Sequence, residues 1–266
     1  MNDLFGPFEK LIVGVLVFLF SIYYVLDRYV PSIIYSELNN VHNDFSVSSH
    51  MAPRKGVVVP TGEYSRYLSD PASFLAANEF NQPQNSQYDP AKINWFAKGT
   101  DGEKHPSNAF LVNFAPFETK KYWLPLLALS LRVKYLRDDD IKIDDDTWQT
   151  SPETYLRMAG DCEDHAILLA DWMINLGYDA RVVAGIVHKE AHAWVVLYKD
   201  GKEYLLETTD KASRRRYPLV SLHPEYSPVF MFNRDHFWVM TTDNRGWRNR
   251  LSTQSWVELS DFKEGL

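Results

Sequence analysis

A helical pattern followed directly by three β-rich segments is the feature that most constrains the fold of this chain. Apolar residues recur at spacings of three and four over residues 162–176, which predicts a helix with one buried face. The β-rich segments are 180–187, 191–198 and 203–208. The dipeptide Asp200-Gly201 is typical of a two-residue hairpin turn, so the last two segments are predicted to pair antiparallel. The pattern therefore predicts an α+β domain in which one helix packs on an antiparallel sheet.

The only cysteine of the chain, Cys162, lies at the start of this predicted helix. Asp161 is a favourable N-cap residue, and Gly160 before it is expected to end a preceding short helix. That short helix is predicted from the capping-box spacing of Thr150 and Glu153. At a helix start, the macrodipole and the free backbone N–H groups favour a thiolate and can also stabilise an oxyanion.

The hairpin turn also determines which residues oppose one another. It puts Glu207 opposite Trp194, with His192 two residues away on the same face of the sheet. His192 and Glu207 are then diagonal neighbours with backbones roughly 7–8 Å apart, within reach of the two side chains. Asp210 would point to the other face unless a β-bulge shifted the pairing. Cys162, His192 and Glu207 are therefore predicted as nucleophile, general base and orienting carboxylate.

An uncharged apolar stretch near the amino terminus is a candidate membrane segment. Residues 11–26 read LIVGVLVFLFSIYYVL, and as a helix they would reach roughly 24 Å, a little less than the ~30 Å hydrocarbon core of a bilayer. We predict a short tail over residues 1–10 and an uncleaved anchor over 11–30, because no small-residue cleavage site follows. A cleaved signal peptide and a buried core helix are the alternatives. The short tail favours a globular domain outside the cytoplasm.

The rest of the chain divides by composition. Residues 31–60 have no sustained period and are expected to form a stalk. Residues 61–120, rich in Asn, Gln, Pro and aromatic residues, are interpreted as an N-terminal extension of the globular domain that covers it or binds a partner. The main domain is predicted over residues 121–266. The whole chain has a formal net charge of −7, which argues against nucleic-acid binding. Its single cysteine excludes an intrachain disulfide and a multi-cysteine zinc site.

Four further elements are predicted within the main domain. A helix is expected over residues 122–136, ahead of the short helix at the capping box. Residues 217–232, rich in proline and aromatic residues, are expected to pack across the sheet. Residues 237–242 resemble a strand that pairs with residues 256–259.

Several motifs together resemble the transglutaminase-like superfamily of cysteine enzymes. They are Trp148-Gln-Thr-Ser-Pro-Glu-Thr, Gly160-Asp-Cys-Glu-Asp-His-Ala, the segment 177–185 and His192-Ala-Trp194. The resemblance covers roughly residues 121–210. It implies a papain-like α+β fold, with the nucleophile helix packed on an antiparallel sheet, and a Cys-His-Asp triad.

By this resemblance the triad residues are Cys162, His192 and Glu207. The family's usual third residue is Asp in an Asp-Pro-Thr context, whereas Glu207 stands in Glu-Thr-Thr. Trp148 and Gln149 are candidates for the cleft wall or the oxyanion site. The oxyanion role is considered because a glutamine side chain serves it in papain-like enzymes. Trp194 is interpreted as cleft wall or core.

The resemblance implies a thiol hydrolase, a cysteine peptidase or amidase, with a protein or peptide as substrate. Together with the apolar stretch, this predicts a membrane-anchored enzyme that binds the lipid bilayer through residues 11–26. Acyl transfer to an amine, which cross-links proteins, is an alternative that differs only in what resolves the thioester. A catalytically silent domain that binds a partner within a membrane complex is another.

No cofactor or metal is expected for this thiol chemistry. Some bacterial members of the superfamily bind calcium through the acids beside the nucleophile, and by resemblance these would be Asp161, Glu163 and Asp164. The acidic runs at 138–140 and 144–146 are interpreted as solvated loops, with a cation site as the alternative.

Overall fold

A seven-stranded sheet, antiparallel between all neighbouring strands, is the largest element of the computed structural model. The hairpin of the second and third predicted β-rich segments lies at one edge of this sheet. Numbered along the chain, the strands in spatial order are β1 (Gly56–Pro60), β12 (Trp256–Glu264), β11 (His236–Met240), β10 (Tyr226–Phe232), β7 (Asp179–Val187), β8 (Glu190–Lys199) and β9 (Lys202–Leu206).

The smaller elements lie between β1 and β7 in the chain, apart from one 3-10 turn. A three-stranded sheet comprises β2 (Phe96–Gly99), β3 (Lys104–Pro106) and β5 (Thr147–Trp148), and β4 (Lys134–Tyr135) pairs in parallel with β6 (Ala159–Gly160). The helices among the described residues are α1 (Leu124–Arg132), α2 (Ser151–Arg157) and α3 (Cys162–Asn175), and 3-10 turns occupy Ser107–Phe110 and Val220–Leu222.

The structure describes residues 51–61, 93–137, 146–210, 217–240 and 256–265. The predicted tail, the predicted anchor over 11–30 and most of the predicted stalk lie outside the described residues. Within the described ranges, no helix is long and apolar enough to cross a membrane.

Helix α3 begins at Cys162, as predicted, but it is buried on all sides rather than on one face. Every residue from Glu163 to Met173 is buried, and the helix contacts α1, α2, β7 and β8. Asp164 and Asp171 are tolerated inside because both carboxylates accept hydrogen bonds, since burying a polar group is costly when it stays unbonded. The helix ends before Gly177, whose φ of +84° suits the turn predicted there.

The ends of the first two helices differ from the prediction. Helix α1 stops at Arg132 instead of continuing to residue 136, because the next residues pair with β6 as strand β4. The capping box that starts α2 is present as predicted. The left-handed residue that ends α2 is Met158, with φ +52°, and not Gly160. Gly160 lies in β6, where a Cβ would come within 2.5 Å of an Asp164 oxygen, so the glycine permits close packing.

The strands confirm the predicted β-rich segments, but they show that two other predictions were wrong. Strands β7, β8 and β9 match the three predicted β-rich segments within two residues, and β11 pairs with β12 as expected. The proline- and aromatic-rich segment does not pack across the sheet, because Tyr226–Phe232 forms a strand within it, between β11 and β7. The end of the predicted stalk also belongs to the sheet: Gly56–Pro60 is its edge strand, with Val58 buried against the domain.

Candidate active site

The hairpin of β8 and β9 holds the predicted histidine and carboxylate side by side. Val195 pairs with Leu206, which is the predicted register, and Glu207 is the first residue after the strand. Nε2 of His192 lies 2.8 Å from Oε2 of Glu207. Glu207 is 4% exposed and the side chain of His192 is 18% exposed, so the contact is shielded from water but remains reachable at the imidazole.

The carboxylate of Glu207 is bonded at both oxygens. Oε1 accepts hydrogen bonds from the backbone N–H of Thr209 at 2.9 Å and from its hydroxyl at 2.7 Å. Oε2 accepts from His192 and from the hydroxyl of Tyr226 at 3.1 Å. Burial raises the pKa of Glu207, but the bonds and charge of His192 and the bonds of Thr209 outweigh it, so the net pKa is lowered. Glu207 is therefore an ionised carboxylate held in one orientation.

The thiol of Cys162 is the second group that acts on the imidazole of His192. The first residue of α3 brings it there, and Asp161 occupies the N-cap position as predicted but makes no side-chain capping bond. Burial lowers the pKa of His192, yet the hydrogen bonds and charges of Cys162 and Glu207 outweigh it and raise that pKa to about 10. The three predicted residues thus lie together, in the order thiol, imidazole, carboxylate.

Glu163 is a second partner for the thiol. Sγ of Cys162 lies 3.3 Å from Oε2 of Glu163, which is buried. Burial raises the pKa of Glu163 well above its ordinary range, and the bond to Asp161 together with the charges of Cys162, Asp161 and Asp164 raises it further. A thiol has one proton, so it can donate either to Glu163 or to the imidazole at any moment.

A cluster of three carboxylates lies beside the nucleophile, but its membership differs from the prediction. Ligand oxygens of Asp146, Asp161 and Glu163 lie within 4.8 Å of one another. Oε1 of Glu163 is buried and has no hydrogen-bond partner among the described residues. Asp164, predicted as the third acid, is instead engaged by Gln149, whose backbone N–H donates to it at 2.7 Å and whose side-chain amide also donates to it.

Gln149 and Trp148, the candidates for the oxyanion site or the cleft wall, have structural contacts instead. Gln149 is buried, and its side-chain N–H groups bond to Asp164 and to the carbonyl of Ala159. An oxyanion donor must keep an N–H free for substrate, so Gln149 does not fit that role. Trp148 is buried between the rings of Phe110 and Phe232.

Trp194 packs against the imidazole of His192. It is fully buried, and its ring stacks under that of His192 with centroids 6.3 Å apart and an interplanar angle of 23°. Tyr226 packs its edge on the same indole at 5.1 Å. Of the two interpretations given to Trp194, core or cleft wall, the structure favours core.

Three residues near the site, Tyr226, Thr209 and Tyr135, are not among those predicted from the sequence. Tyr226 and Thr209 bond to Glu207, and only Thr209 had a signal, because it follows the carboxylate by two residues and can close a local turn. Tyr135 lies next to the nucleophile through the pairing of β4 with β6, opposite Gly160. Burial raises the pKa of Tyr135 and the charge of Cys162 raises it further, while a bond from Arg137 lowers it.

The family comparison agrees with the resemblance. Residues 146–255 match the family model of the CEP76 peptidase-like domain, a range that contains Cys162, His192 and Glu207. This match confirms the similarity to peptidase-like cysteine proteins that the motifs indicate. No curated protein matches the sequence.

Solved structures are similar over part of the chain. The calcium-bound form of Legionella pneumophila LapG is 21% identical, with a TM-score of 0.40, and the alignment covers 52% of this chain and 78% of that one. For the EGTA-treated form the identity is 20% and the TM-score 0.40, over 50% and 73% of the two chains. A candidate cysteine protease from Cytophaga hutchinsonii is 14% identical, with a TM-score of 0.34, over 60% and 47%.

Proposed function

We propose that this chain is a thiol hydrolase that cleaves an amide bond of a protein or peptide, and that residues 11–30 anchor it in a membrane with the domain outside the cytoplasm. The observation that supports the chemistry best is one imidazole with two partners. His192 bonds to a buried carboxylate at 2.8 Å, and the thiol of Cys162 is close enough to help raise the pKa of the imidazole. This arrangement suits proton transfer to and from a thiol.

In the proposed reaction, His192 holds the proton of Cys162 as an imidazolium, and the thiolate attacks the amide carbonyl. The backbone N–H groups at the start of α3 stabilise the oxyanion that forms. The imidazolium then gives its proton to the leaving amine as the C–N bond breaks, which leaves a thioester on Cys162. His192 next takes a proton from water, the hydroxide attacks the thioester, and the carboxylic acid leaves as the thiol regains its proton. Glu207 orients the ring and stabilises its cation throughout.

Calcium is a candidate cofactor at the three carboxylates beside the nucleophile. Asp146, Asp161 and Glu163 supply oxygen ligands, the type that calcium prefers, and the buried Oε1 of Glu163 is a suitable donor atom. One of the LapG structures is described as calcium-bound, which is a property of that protein. A bound cation would counter the burial and the neighbouring charges that raise the pKa of Glu163.

The proposal is tested by the alkylation rate of Cys162 with iodoacetamide as a function of pH. The chain has one cysteine, so the signal has a single source. We expect the thiolate to form at a lower pH than that of a free cysteine, ~8.5, and the profile to return toward that value in His192→Ala. A profile that resembles a free thiol in both proteins would favour a silent binding domain instead.

A substrate screen separates hydrolysis from acyl transfer. Peptide amides are incubated with the protein, with and without a primary amine. Free acid products support hydrolysis, and amine-coupled products support the cross-linking alternative, because water and amine compete for the same thioester. The Cys162→Ala variant is the blank for both products.

A further inference from the structure

The hydroxyl of Tyr226 donates to the same carboxylate oxygen that binds the imidazole. Oη of Tyr226 lies 3.1 Å from Oε2 of Glu207, and Nε2 of His192 lies 2.8 Å from that oxygen. Glu207 is buried, so its lone pairs depend on donors from the protein. Because two donors share Oε2, the direction in which this oxygen points depends on both.

We propose that Tyr226 is a positioning residue of the Cys162–His192–Glu207 site. Its hydroxyl keeps Oε2 of Glu207 directed at the imidazole and thereby holds the ring of His192 in the orientation that serves the thiol. The inference rests on the proposed function, in which these three residues act together on an amide.

The strand that carries Tyr226 approaches the histidine hairpin at a glycine. Gly185 of β7 pairs with His192 on one side and with Pro228 on the other. A Cβ at position 185 would come within 2.1 Å of the carbonyl oxygen of Ser227, which is backbone and cannot yield as a flexible side chain could. Only glycine therefore lets β10 come this close to β7.

A register shift directs the ring of Tyr226 toward the site. The pairing of β10 with β7 is irregular between Pro228 and Phe230, and such bulges re-aim the side chains beside them. The ring of Tyr226 packs its edge on Trp194 at 5.1 Å and lies 6.5 Å from the ring of His192. Aromatic contacts thus fix the ring whose hydroxyl bonds to Glu207.

The phenol of Tyr226 stays a donor over the pH range in which a thiol enzyme works. Burial raises its pKa, and the charge of Glu207 and the hydrogen bond to it raise that pKa further. A tyrosine that keeps its proton can give a steady hydrogen bond to an ionised carboxylate, and such charge-assisted bonds are the stronger kind.

The test compares Tyr226→Phe with Tyr198→Phe in the full chain, by the pH profile of Cys162 alkylation with iodoacetamide. Tyr198 is the matched control, because it packs on the same core cluster as Tyr226 but its hydroxyl contacts the sulfur of Met231 at 3.8 Å. In Tyr226→Phe we expect the profile to move to higher pH, toward a free cysteine, and the rate at neutral pH to fall roughly tenfold, which corresponds to one lost bond to a charged group. Tyr198→Phe is expected to match the wild type.

Without the hydroxyl of Tyr226, the carboxylate of Glu207 is held less firmly and stabilises the imidazolium of His192 less. The alkylation profile of Cys162 is therefore expected to move to higher pH. A Tyr226→Phe profile that overlies the wild type would overturn the inference while leaving the proposed function intact. A shift to lower pH would also overturn it, since the hydroxyl would then be competing with the imidazole rather than directing Glu207. A wild-type thiol that reacts like a free cysteine would contradict both proposals.

The dependence on Glu207 is tested in a second background. If Tyr226 acts through Glu207, adding Tyr226→Phe to Glu207→Gln should change the alkylation profile far less than it does in the wild type. An equally large effect in both backgrounds would mean that Tyr226 influences the thiol by another route, and the positioning role would be abandoned.

Discussion

The guanidinium of Arg234 binds the carboxylate of Asp171 in the middle of helix α3, with 2.8 Å between Nε and Oδ1. The same carboxylate accepts the backbone N–H groups of Val112 at 3.1 Å and Phe114 at 2.9 Å. One buried side chain therefore joins the nucleophile helix, the segment before α1 and the turn between β10 and β11. The position of the helix that carries Cys162 depends on this junction.

The substitution Asp171→Asn is expected to destabilise the domain strongly. It leaves Arg234 without its counter-ion and replaces an acceptor by an amide that also donates, so the loss should be about 3–5 kcal/mol, as for other broken buried ion pairs. Urea unfolding followed by circular dichroism measures it. Asp179→Asn is the control, because Asp179 pairs with Arg181 on the surface and should cost less than ~1 kcal/mol. Equal losses in the two variants would contradict the prediction.

Stability is expected to depend on the proton of His192. Its pKa is raised to about 10 in the folded chain, so the imidazolium stabilises the fold fully below the unfolded value, ~6.5, and this contribution is lost as the pH rises through about 10. The free energy of unfolding should therefore exceed that of His192→Gln by less at pH 10 than at pH 6, as measured by urea unfolding. In a Cys162→Ser background the pH dependence should weaken, because the thiol supplies part of the shift. A difference between wild type and His192→Gln that stays constant with pH would refute the assignment.

Replacing Glu163 by Gln is expected to stabilise the metal-free protein at alkaline pH. The folded pKa of Glu163 is raised by burial and by its acidic neighbours, so ionising it costs stability as the pH rises above its ordinary value. The melting temperature of Glu163→Gln in EDTA should exceed that of the wild type more at pH 8 than at pH 5. The exposed Glu103→Gln is the control. If calcium occupies the cluster, adding it should raise the melting temperature of the wild type and not of Glu163→Gln.

Replacing Glu207 by aspartate, the usual third residue of the superfamily, is expected to make Cys162 less reactive. The carboxylate would withdraw by about 1.5 Å, the length of one C–C bond, from donors that fit the longer side chain. We expect Glu207→Asp to slow alkylation of Cys162 at neutral pH roughly tenfold or more, with the profile shifted to higher pH. An Asp variant as reactive as the wild type, or more so, would show that the donors around Glu207 adapt to either length. Glu203→Asp, in strand β9 just before Glu207, is the control.

The hairpin shows how much local sequence can specify. The Asp200-Gly201 turn fixes the register of β8 and β9, and that register alone predicts that Glu207 and His192 are neighbours on one face. The capping box at Thr150 and the start of α3 at Cys162 are equally local, and both are found as predicted.

The errors concern contacts between distant segments. The sequence predicts that Gly160 ends a helix, but the glycine is needed because a Cβ at this position would collide with Asp164. Asp164 in turn accepts a hydrogen bond from Gln149 and does not join the carboxylate cluster. Asp146 takes its place because the chain before β5 reaches the start of α3. These outcomes depend on packing between segments, which periodicity and spacing do not report.

The sequence by itself determined the helix start, strands β7 to β9, the hairpin register and the likeness to peptidase-like cysteine proteins, because each depends on residues close together in the chain. Only the tertiary structure decided that Tyr226 bonds to Glu207, that strand β10 enters the sheet beside β7, and that Trp148 and Gln149 belong to the core. The physical reason is that these features require segments far apart in sequence to pack at ångström distances, and such pairings are selected by the burial and bonding of the whole domain.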